Sequence, residues 1–547
     1  MTTTLELAKI EFENKNLENC IKILEENLKD SAESFYYLGL AYKEKGSLEE
    51  AKKYFEKSFF INPLDKNSCN ALGNLHFTNN ELNESANYFL NTLKNDPKDT
   101  VANNYIGTIF TKTNKLKEAC GHFETILDNE KNPLIKAIAA VNLGNCVARL
   151  DDMQKSIEYF EKSISLFPEG KSSFTVQIGL DVHALSLYLL YYNLGLSYER
   201  LKTSGVIDHK KAIECFEKAI SYENSAIENG LNPSDAYLEL GLNYLTIGNY
   251  KDGWKKFEYR WNTDRLFKVF ESPVYVGDGN YENKNVLVYS EQGFGDTLQF
   301  IRYVKLLKKK NPKKIIVVTY KPLVKLLSTI PEIDEIVASG DSHTNQDYHI
   351  PDESFPAVFE TDIDTIPCEI PYFKINDADI EHWKNKLPSG YKIGVCWSGD
   401  PKINLGDYVR IENEKRNISL KQIDELLNIE NVNFISLQKE DRKNELVDYP
   451  QIINLMNEVG DYYDTAAIIS NLDLVVTVDT SVAHVAGALG KPVMMLSRWR
   501  GCWRWGTKEF CFAKKWYPTL DIYRETEYNN WGPIIKILTD DVRKIIP

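Results

Sequence analysis

At 547 residues the chain is longer than one ordinary hydrophobic core supports, so several domains are expected. Hydrophobic residues at 43% and charged residues at 26% are the proportions of folded domains, not of a disordered polymer. A formal charge of -14 repels a phosphate backbone and excludes nucleic acid as a general partner, while one local cleft can still hold a small phosphorylated ligand.

The first segment, Met1 to Cys20, carries acids among its apolar residues and reads as an amphipathic helix rather than a signal peptide. No later window offers the roughly 18 uninterrupted apolar residues of a membrane span. The nine cysteines form no CxxC pair, as expected of buried thiols in a reducing compartment. A cytoplasmic location is expected.

A Leu/Ile-Gly step at Leu38-Gly39, Leu72-Gly73 and Ile106-Gly107 repeats every 34 residues, and returns less evenly at Leu143-Gly144, Leu194-Gly195 and Leu240-Gly241. Within a unit, Tyr42, Ala51, Phe55 and Pro63 follow at spacings that describe two packed helices. The Gly allows close approach, the Ala and Phe fill the seam, and Pro63, Pro97 and Pro168 close the second helix. These residues resemble the tetratricopeptide repeat family over residues 1–262, with a degenerate first unit in which Ala8, Cys20 and Leu24 occupy the seam. Two extra stretches, Lys171–Leu187 and Gly205–His209, are expected to bulge from the superhelix. Such an array is either a scaffold and dimerisation surface or a peptide groove. For the second reading, Asn70, Asn74, Asn103, Asn104, Asn142 and Asn145 fall on first helices at i, i+3 or i+4 spacing, where amides could bond an extended backbone of any sequence.

After Trp261 the helical rhythm stops, and residues 263–285, including Pro273, read as a linker. Apolar runs then alternate with helices. Strands are predicted at Val286–Ser290, Ile315–Thr319, Ile333–Ala338, Lys392–Trp397, Asn433–Leu437, Asp473–Val478 and Val493–Leu496. The polar stretch Asp377–Tyr391 divides this half into lobes of residues 286–385 and 386–547, each an α/β unit with a parallel sheet and ligands at the carboxyl ends of its strands.

Three motifs carry chemistry. Ser290-Glu291-Gln292-Gly293-Phe294-Gly295-Asp296-Thr297 links a strand to a helix. Gly293 and Gly295 permit a tight turn, and Asp296 is either a general base for an attacking hydroxyl or simply a helix cap. Asp479-Thr480-Ser481-Val482-Ala483-His484 ends a buried strand and opens a small-residue helix whose free N–H groups suit a diphosphate. Thr480 and His484 share one face, and Asp479 suits a sugar or ribose hydroxyl; a capped core helix with a buried His is the alternative. Lys439, after Ser436-Leu437-Gln438, and Arg416 could neutralise a departing diphosphate, although lone cations are usually solvated. Asp377-Ala378-Asp379 reads as a solvated loop, and Trp499, Trp503 and Trp505 either stack on a ligand or pack a hinge.

Glu291–Tyr303, Gly394–Pro401, Ser436–Lys439, Asp461–Ala467 and Asp479–Leu496 resemble the glycosyltransferases that join tetratricopeptide repeats to a heptosyltransferase-like GT-B module of the glycosyltransferase family 9 type, distantly similar to protein O-GlcNAc transferases. Gly253-Trp254, Glu258-Tyr259-Arg260-Trp261 and Trp503-Arg504-Trp505 look like that family too. The resemblance implies a multidomain chain, an all-α solenoid followed by two Rossmann-like lobes, and a final helix over Asn530–Ile546 that crosses back to brace the first lobe. It implies Asp296 as catalytic base, Lys439 as the phosphate-neutralising lysine and Asp464 as a cleft carboxylate. Gln292, Trp397, Gln438, Asp479, Thr480, Ser481 and His484 are implied as the donor side of the cleft.

The expected activity is inverting, metal-independent transfer from a nucleotide-sugar donor to a Ser or Thr of a protein held by the repeats, with no cofactor. A saccharide or lipid-linked glycan acceptor, or a noncatalytic adaptor with vestigial lobes, are the alternatives, and the repeats are also compatible with a homodimer.

Overall fold

The computed structural model describes residues 3–27, 31–201, 205–263, 280–400, 413–439 and 442–547. Most of the expected linker, including Pro273, and Pro401 lie outside these residues. The chain divides into two compact units, Met1–Leu201 with Glu214–Pro233, and Lys202–Ile213 with Ser234–Pro547. No helix among the described residues is long and apolar enough to cross a membrane, and all nine cysteines are free thiols.

The first unit is a run of antiparallel helix pairs: α1 (Thr4–Glu13) with α2 (Leu17–Glu26), α3 (Ala32–Glu44) with α4 (Leu48–Ile61), α5 (Lys66–Thr78) with α6 (Leu82–Asn95), α7 (Thr100–Lys112) with α8 (Leu116–Asn129), and α9 (Pro133–Arg149) with α10 (Met153–Ser165). First helices start on short polar side chains: Ser31, Asp65 and Asp99 each accept a hydrogen bond from a backbone N–H in the first turn. The step glycines are required by packing. A Cβ on Gly39 would stand 2.5 Å from the Phe55 ring, and one on Gly107 2.7 Å from Phe123. The aromatic ring of the second helix therefore occupies the space that a side chain on the first would need.

The Lys171–Leu187 stretch does not bulge away. Strands β1 (Ser173–Ile178) and β2 (Asp181–Ser186) form an antiparallel hairpin through a two-residue turn with Gly179 at φ 64°. Alternation decides its placement. Val176, Ile178 and Leu185 share one face and join a core with Ala137, Val141 and Leu190, while Val182 on the other face is 68% exposed. Its tip reaches the first helices of earlier repeats: Lys43 Nζ donates to Leu180 O at 3.2 Å, and Asn74 Nδ2 to Asp181 Oδ2 at 2.7 Å. Helices α11 (Leu187–Glu199), α12 (Val206–Ile220) and α13 (Glu223–Glu228) follow. Gly205–His209 likewise does not bulge; it opens α12, and His209 is buried with Nδ1 2.7 Å from Asn243 Oδ1.

The second unit contains the last repeat pair, α14 (Ser234–Thr246) and α15 (Tyr250–Phe257), so in packing terms it begins well before residue 263. Tyr250, Trp254 and Phe257 share one core with Phe300, Trp503 and Trp516. Trp254 meets Trp503 edge-on at 5.2 Å and Phe300 at 6.2 Å. Two parallel sheets follow. The first has the order β5 (Glu335–Ala338), β4 (Lys314–Thr319), β3 (Asn285–Tyr289), β6 (Tyr348–Pro351). The second runs β12 (Leu520–Arg524), β11 (Val493–Ser497), β10 (Leu474–Val478), β7 (Tyr391–Cys396), β8 (Val432–Ser436), β9 (Ile453–Asn454). All seven predicted strands are present; β6, β9 and β12 were not expected. In both sheets the chain reverses its direction of strand addition next to a central strand, between β3 and β6 and between β7 and β10, and these switch points set the places where loops part.

Two expectations fail here. Asp377-Ala378-Asp379 opens the helix Asp377–Lys384, capped by Asn376, and Asp379 accepts a hydrogen bond from Tyr463 OH at 2.9 Å. The final helix, Gly532–Ile545, braces its own lobe, because Ile534, Ile535, Leu538 and Val542 pack against Ile393, Trp397 and Leu420 on one face of the second sheet.

Candidate functional site

The loops after β3, β6, β10 and β11 converge where the two lobes meet. In the first lobe, α16 (Phe294–Phe300) begins at the glycine turn, and Asp296 Oδ2 accepts the Gly293 N–H at 2.8 Å. The capping role is thus real. Its other oxygen accepts a hydrogen bond from Arg504 Nη2, which comes from the second lobe. Arg504 also donates from Nε to Gln299 Oε1 at 2.8 Å and stands 3.5 Å from Glu353 Oε1, with its guanidinium 4.5 Å from the Trp503 ring centre. Burial works against the Arg504 charge, but Asp296, Cys502 and Glu353 outweigh it and hold the guanidinium above its ordinary pKa.

The turn is built on buried ions. Arg260 pairs bidentately with Glu291, at 2.6 and 2.8 Å, and donates to Glu258 at 2.5 Å and to Ser354 Oγ at 2.7 Å. Directly after β6, Asp352 accepts from Thr297 Oγ1 at 2.6 Å and Glu353 from Gln292 Nε2 at 2.8 Å. Burial, then the neighbouring carboxylates Glu291 and Asp296, push the Asp352 carboxyl up to about 8, against the lowering effect of the Thr297 hydroxyl. Burial and the charges of Asp296 and Glu291 raise Glu353 in the same way. The site therefore holds carboxyls that stay protonated beside others that are paired with arginine.

From the second lobe, Thr480 caps the helix Ser481–Ala488 and Ser481 Oγ lies 2.7 Å from Tyr462 OH. Asp479 Oδ2 accepts from Trp505 Nε1 at 3.0 Å, and its carbonyl faces Arg416 Nη1 at 3.4 Å. His484 is buried, with Nδ1 2.9 Å from Tyr517 OH and its ring stacked on Trp505. Burial pushes His484 down to about 4, so it is neutral at pH 7 and its Nε2 edge faces Gly295, where a Cβ would come within 3.3 Å of Nε2 and 2.9 Å of Cδ2. Gln438 Oε1 accepts from Trp397 N at 3.2 Å and Ser398 N at 2.9 Å, so that side chain fastens the loop after β7.

Asp296, Gln292, Gly293, Gly295, Asp479, Thr480, Ser481 and His484 thus meet at one lobe junction, with Arg416 beside Asp479. Lys439 is exposed and donates to Val459 O at 2.9 Å, and Asp464 accepts from Gly460 N at 2.9 Å with Lys325 3.8 Å away. Trp397 is wholly buried in the core of the second lobe and does not face the junction. Trp503 packs on Trp254, and Trp505 lies between Asp479 and the His484 ring. Arg260, Asp352, Glu353 and Tyr517 were not singled out as site residues; only the stretches Glu258-Tyr259-Arg260-Trp261 and Trp503-Arg504-Trp505 carried a signal.

The asparagines do not form one ladder. Asn70 donates to Asp99 at 3.1 Å and accepts from Thr92, and Asn103 donates to the carbonyls of Pro97 and Asp99, so both bind neighbouring backbone and caps. Asn74 holds the hairpin tip, Asn104 is buried with an unpaired Nδ2, Asn142 is half-buried, and Asn145 is exposed.

A model of glycosyltransferase family 9 (heptosyltransferase) matches residues 461–498, the stretch that contains Asp464, Asp479, Thr480, Ser481 and His484. A tetratricopeptide repeat model matches residues 32–63, 137–169 and 188–225. Protein FlbA of Caulobacter vibrioides is 22% identical over 426 residues, 72% of this chain and 64% of its own length, so the chain spans somewhat under two thirds of this curated relative. Among solved structures, MamA from Desulfovibrio magneticus aligns at 22% identity over 36% of this chain and 98% of its own, with a TM-score of 0.30. The C-terminal part of a repeat protein from Cytophaga hutchinsonii aligns at 17% identity over 48% and 96%, with a TM-score of 0.37. The chain therefore joins tetratricopeptide repeats to an α/β module with a glycosyltransferase family 9 segment.

Proposed function

We propose that this chain, a glycosyltransferase with tetratricopeptide repeats, moves a sugar from a nucleotide-sugar donor to a hydroxyl of a protein acceptor, with inversion and without a metal. The carrying observation is that Gly295, next to Asp296, packs on Ser481 and His484 across the lobe junction, where Arg504 of the second lobe also bonds Asp296.

In this reading the acceptor O–H gives its proton to Asp296 while its oxygen attacks the anomeric carbon from the face opposite the leaving group. The bond from that carbon to the diphosphate breaks, and the electron pair leaves with the diphosphate. Its charge is met by the N–H groups at the start of the Ser481–Ala488 helix and by Lys439 after it leaves the Val459 carbonyl. The Arg504 hydrogen bond holds the Asp296 side chain in place between turnovers. Asp479 takes a hydroxyl of the donor.

A saccharide acceptor is the second reading, favoured by one observation: the hairpin lies on the first-helix face that a peptide would use. The experiment is incubation with a panel of nucleotide sugars and with proteins or glycans of the same cell, read by intact mass. A sugar-sized increment on a protein that is lost in Asp296→Asn supports the first reading. Transfer to glycans alone would overturn it, and undiminished transfer by Asp296→Asn would remove Asp296 as base.

A further inference from the structure

His484 presents its two ring nitrogens to different surroundings. Nδ1 lies 2.9 Å from Tyr517 OH inside the second lobe, whereas Nε2 looks across the junction to Gly295 and makes no hydrogen bond with any described residue. The residue is only 5% exposed, so an unpaired ring nitrogen is held at the place where the motifs of the two lobes meet.

The partners behind the ring decide which nitrogen carries the proton. Tyr372 OH donates to Leu298 O at 2.7 Å and accepts from Arg302 Nη2 at 3.2 Å, so its one proton is already used. The Tyr372 and Tyr517 hydroxyls stand 3.5 Å apart, the outer limit of a hydrogen bond, which leaves Nδ1 as the better acceptor for the Tyr517 proton. The phenol keeps that proton: burial, with Tyr372 beside it, holds it well above the ordinary tyrosine value against the lowering effect of Arg302. Its ring is fixed in turn. The Arg302 guanidinium, bonded to the carbonyls of Pro367 and Trp516, lies 4.5 Å from the Tyr517 ring centre. Gly487, on the same helix face as His484, lets the phenol approach, since a Cβ there would stand 2.6 Å from the Tyr517 ring. The imidazole, uncharged at pH 7 through burial, has a single ring proton, and with Nδ1 accepting, that proton sits on Nε2.

We propose that Tyr517 is a positioning residue: its hydroxyl donates to His484 Nδ1 and fixes the ring proton on Nε2, so that His484 offers the junction an N–H donor for an oxygen of the donor's diphosphate. This deepens the transfer proposed above and rests on that reading only for the identity of the oxygen. The opposite tautomer would turn a lone pair towards the same oxygen and repel it. An N–H at this point instead joins the free N–H groups at the start of the Ser481–Ala488 helix, and it brings no buried charge that would need a counter-ion.

The test uses the full chain with histidine labelled in nitrogen-15, sedimented and read by solid-state NMR at neutral pH. His484 is picked out of the 8 histidines by its loss in His484→Gln. A protonated Nε2 with a bare Nδ1 is expected in the wild type, and a protonated Nδ1 population in Tyr517→Phe. A protonated Nδ1 in the wild type, or one pattern in both proteins, would overturn the role of Tyr517. The oxygen is tested by calorimetric titration with UDP, GDP, ADP, CDP and dTDP. Whichever binds the wild type should bind Tyr517→Phe about fivefold more weakly, as expected for one impaired hydrogen bond, and equal affinity would refute the contact. If none of the five binds the wild type, the donor reading fails and the oxygen with it, while the spectra still decide the place of the proton. If Tyr517→Phe does not fold, wild-type spectra with and without the bound nucleotide decide: the Nε2 resonance should move, and an unmoved one overturns the contact.

Discussion

Arg504 of the second lobe donates directly to Asp296 of the first, across 208 residues of sequence. One guanidinium thus holds the candidate base, the buried Glu353 and the ring of Trp503 in a single arrangement.

Arg504→Ala should therefore be far worse than loss of a surface cation. Removing one partner of a buried pair costs about 3–5 kcal/mol, because Asp296 loses its guanidinium partner at the lobe junction. Melting temperatures and transfer rates should both fall, and Arg504→Lys, which cannot bridge the same three partners, should recover little. Full activity in Arg504→Ala would remove the residue from the site.

Stability should respond to pH through Asp352. Its folded pKa of about 8 lies above its ordinary value, so the native state keeps a proton that the unfolded chain has released. That contribution is complete below about pH 4 and is lost as pH rises to about 8, by up to about 1.4 kcal/mol per pH unit. Glu353 acts in the same direction. Asp352→Asn can still pair with Thr297 and the Glu291 N–H, so its melting temperature should gain on the wild type between about pH 5 and 8. A constant difference across that range would show that Asp352 is ionised in the fold.

His484 works with the opposite sign. Its folded pKa of about 4 means stability is lost as pH falls from about 6.5 towards 4. In His484→Gln, calorimetric scans should show a smaller drop over that acid range.

Gly295→Ala should separate the lobes. The new methyl would meet the His484 ring at 2.9 Å, and that ring is fixed between Trp505 and the Tyr517 hydroxyl. Overpacking of this kind costs about 1–3 kcal/mol, and transfer should fall with it. An unchanged rate would mean that the junction opens during turnover without loss.

Trp254→Ala should lower the melting of the lobes by about 3–5 kcal/mol even though the residue lies in a repeat helix. An unmoved lobe transition would contradict the shared core.

The repeats were legible because each unit repeats one packing solution, Gly39 against Phe55 and Gly107 against Phe123. Strand β10 was legible for a simpler reason: all five of its residues are buried and apolar or hydroxylated. Strand β12 was missed because Leu520–Arg524 contains two charges and only Leu520 is buried. The hairpin was taken for a bulge, although Phe174, Val176 and Ile178 alternate up to a Gly-Leu turn; period-2 spacing inside a helical array was the overlooked signal. At the site, the turn glycines marked the position of Asp296. Its partner Arg504 could not be read, since nothing local pairs residues that only two folded lobes bring together. The asparagine spacing misled because it specifies a helix face but not whether a neighbour's cap already occupies it, as Asp99 does for Asn70.

Repeat arrays are commonly treated as detachable, their length changed by adding or removing whole units. In this chain the core around Trp254 moves the seam: α14 and α15 carry the repeat pattern yet are built into the enzyme. An array exchanged at residue 263 would strip the lobes of three buried aromatic rings, whereas one exchanged ahead of Ser234 would keep them. The last repeat is, by its packing, a part of the α/β module with the shape of its neighbours in the array.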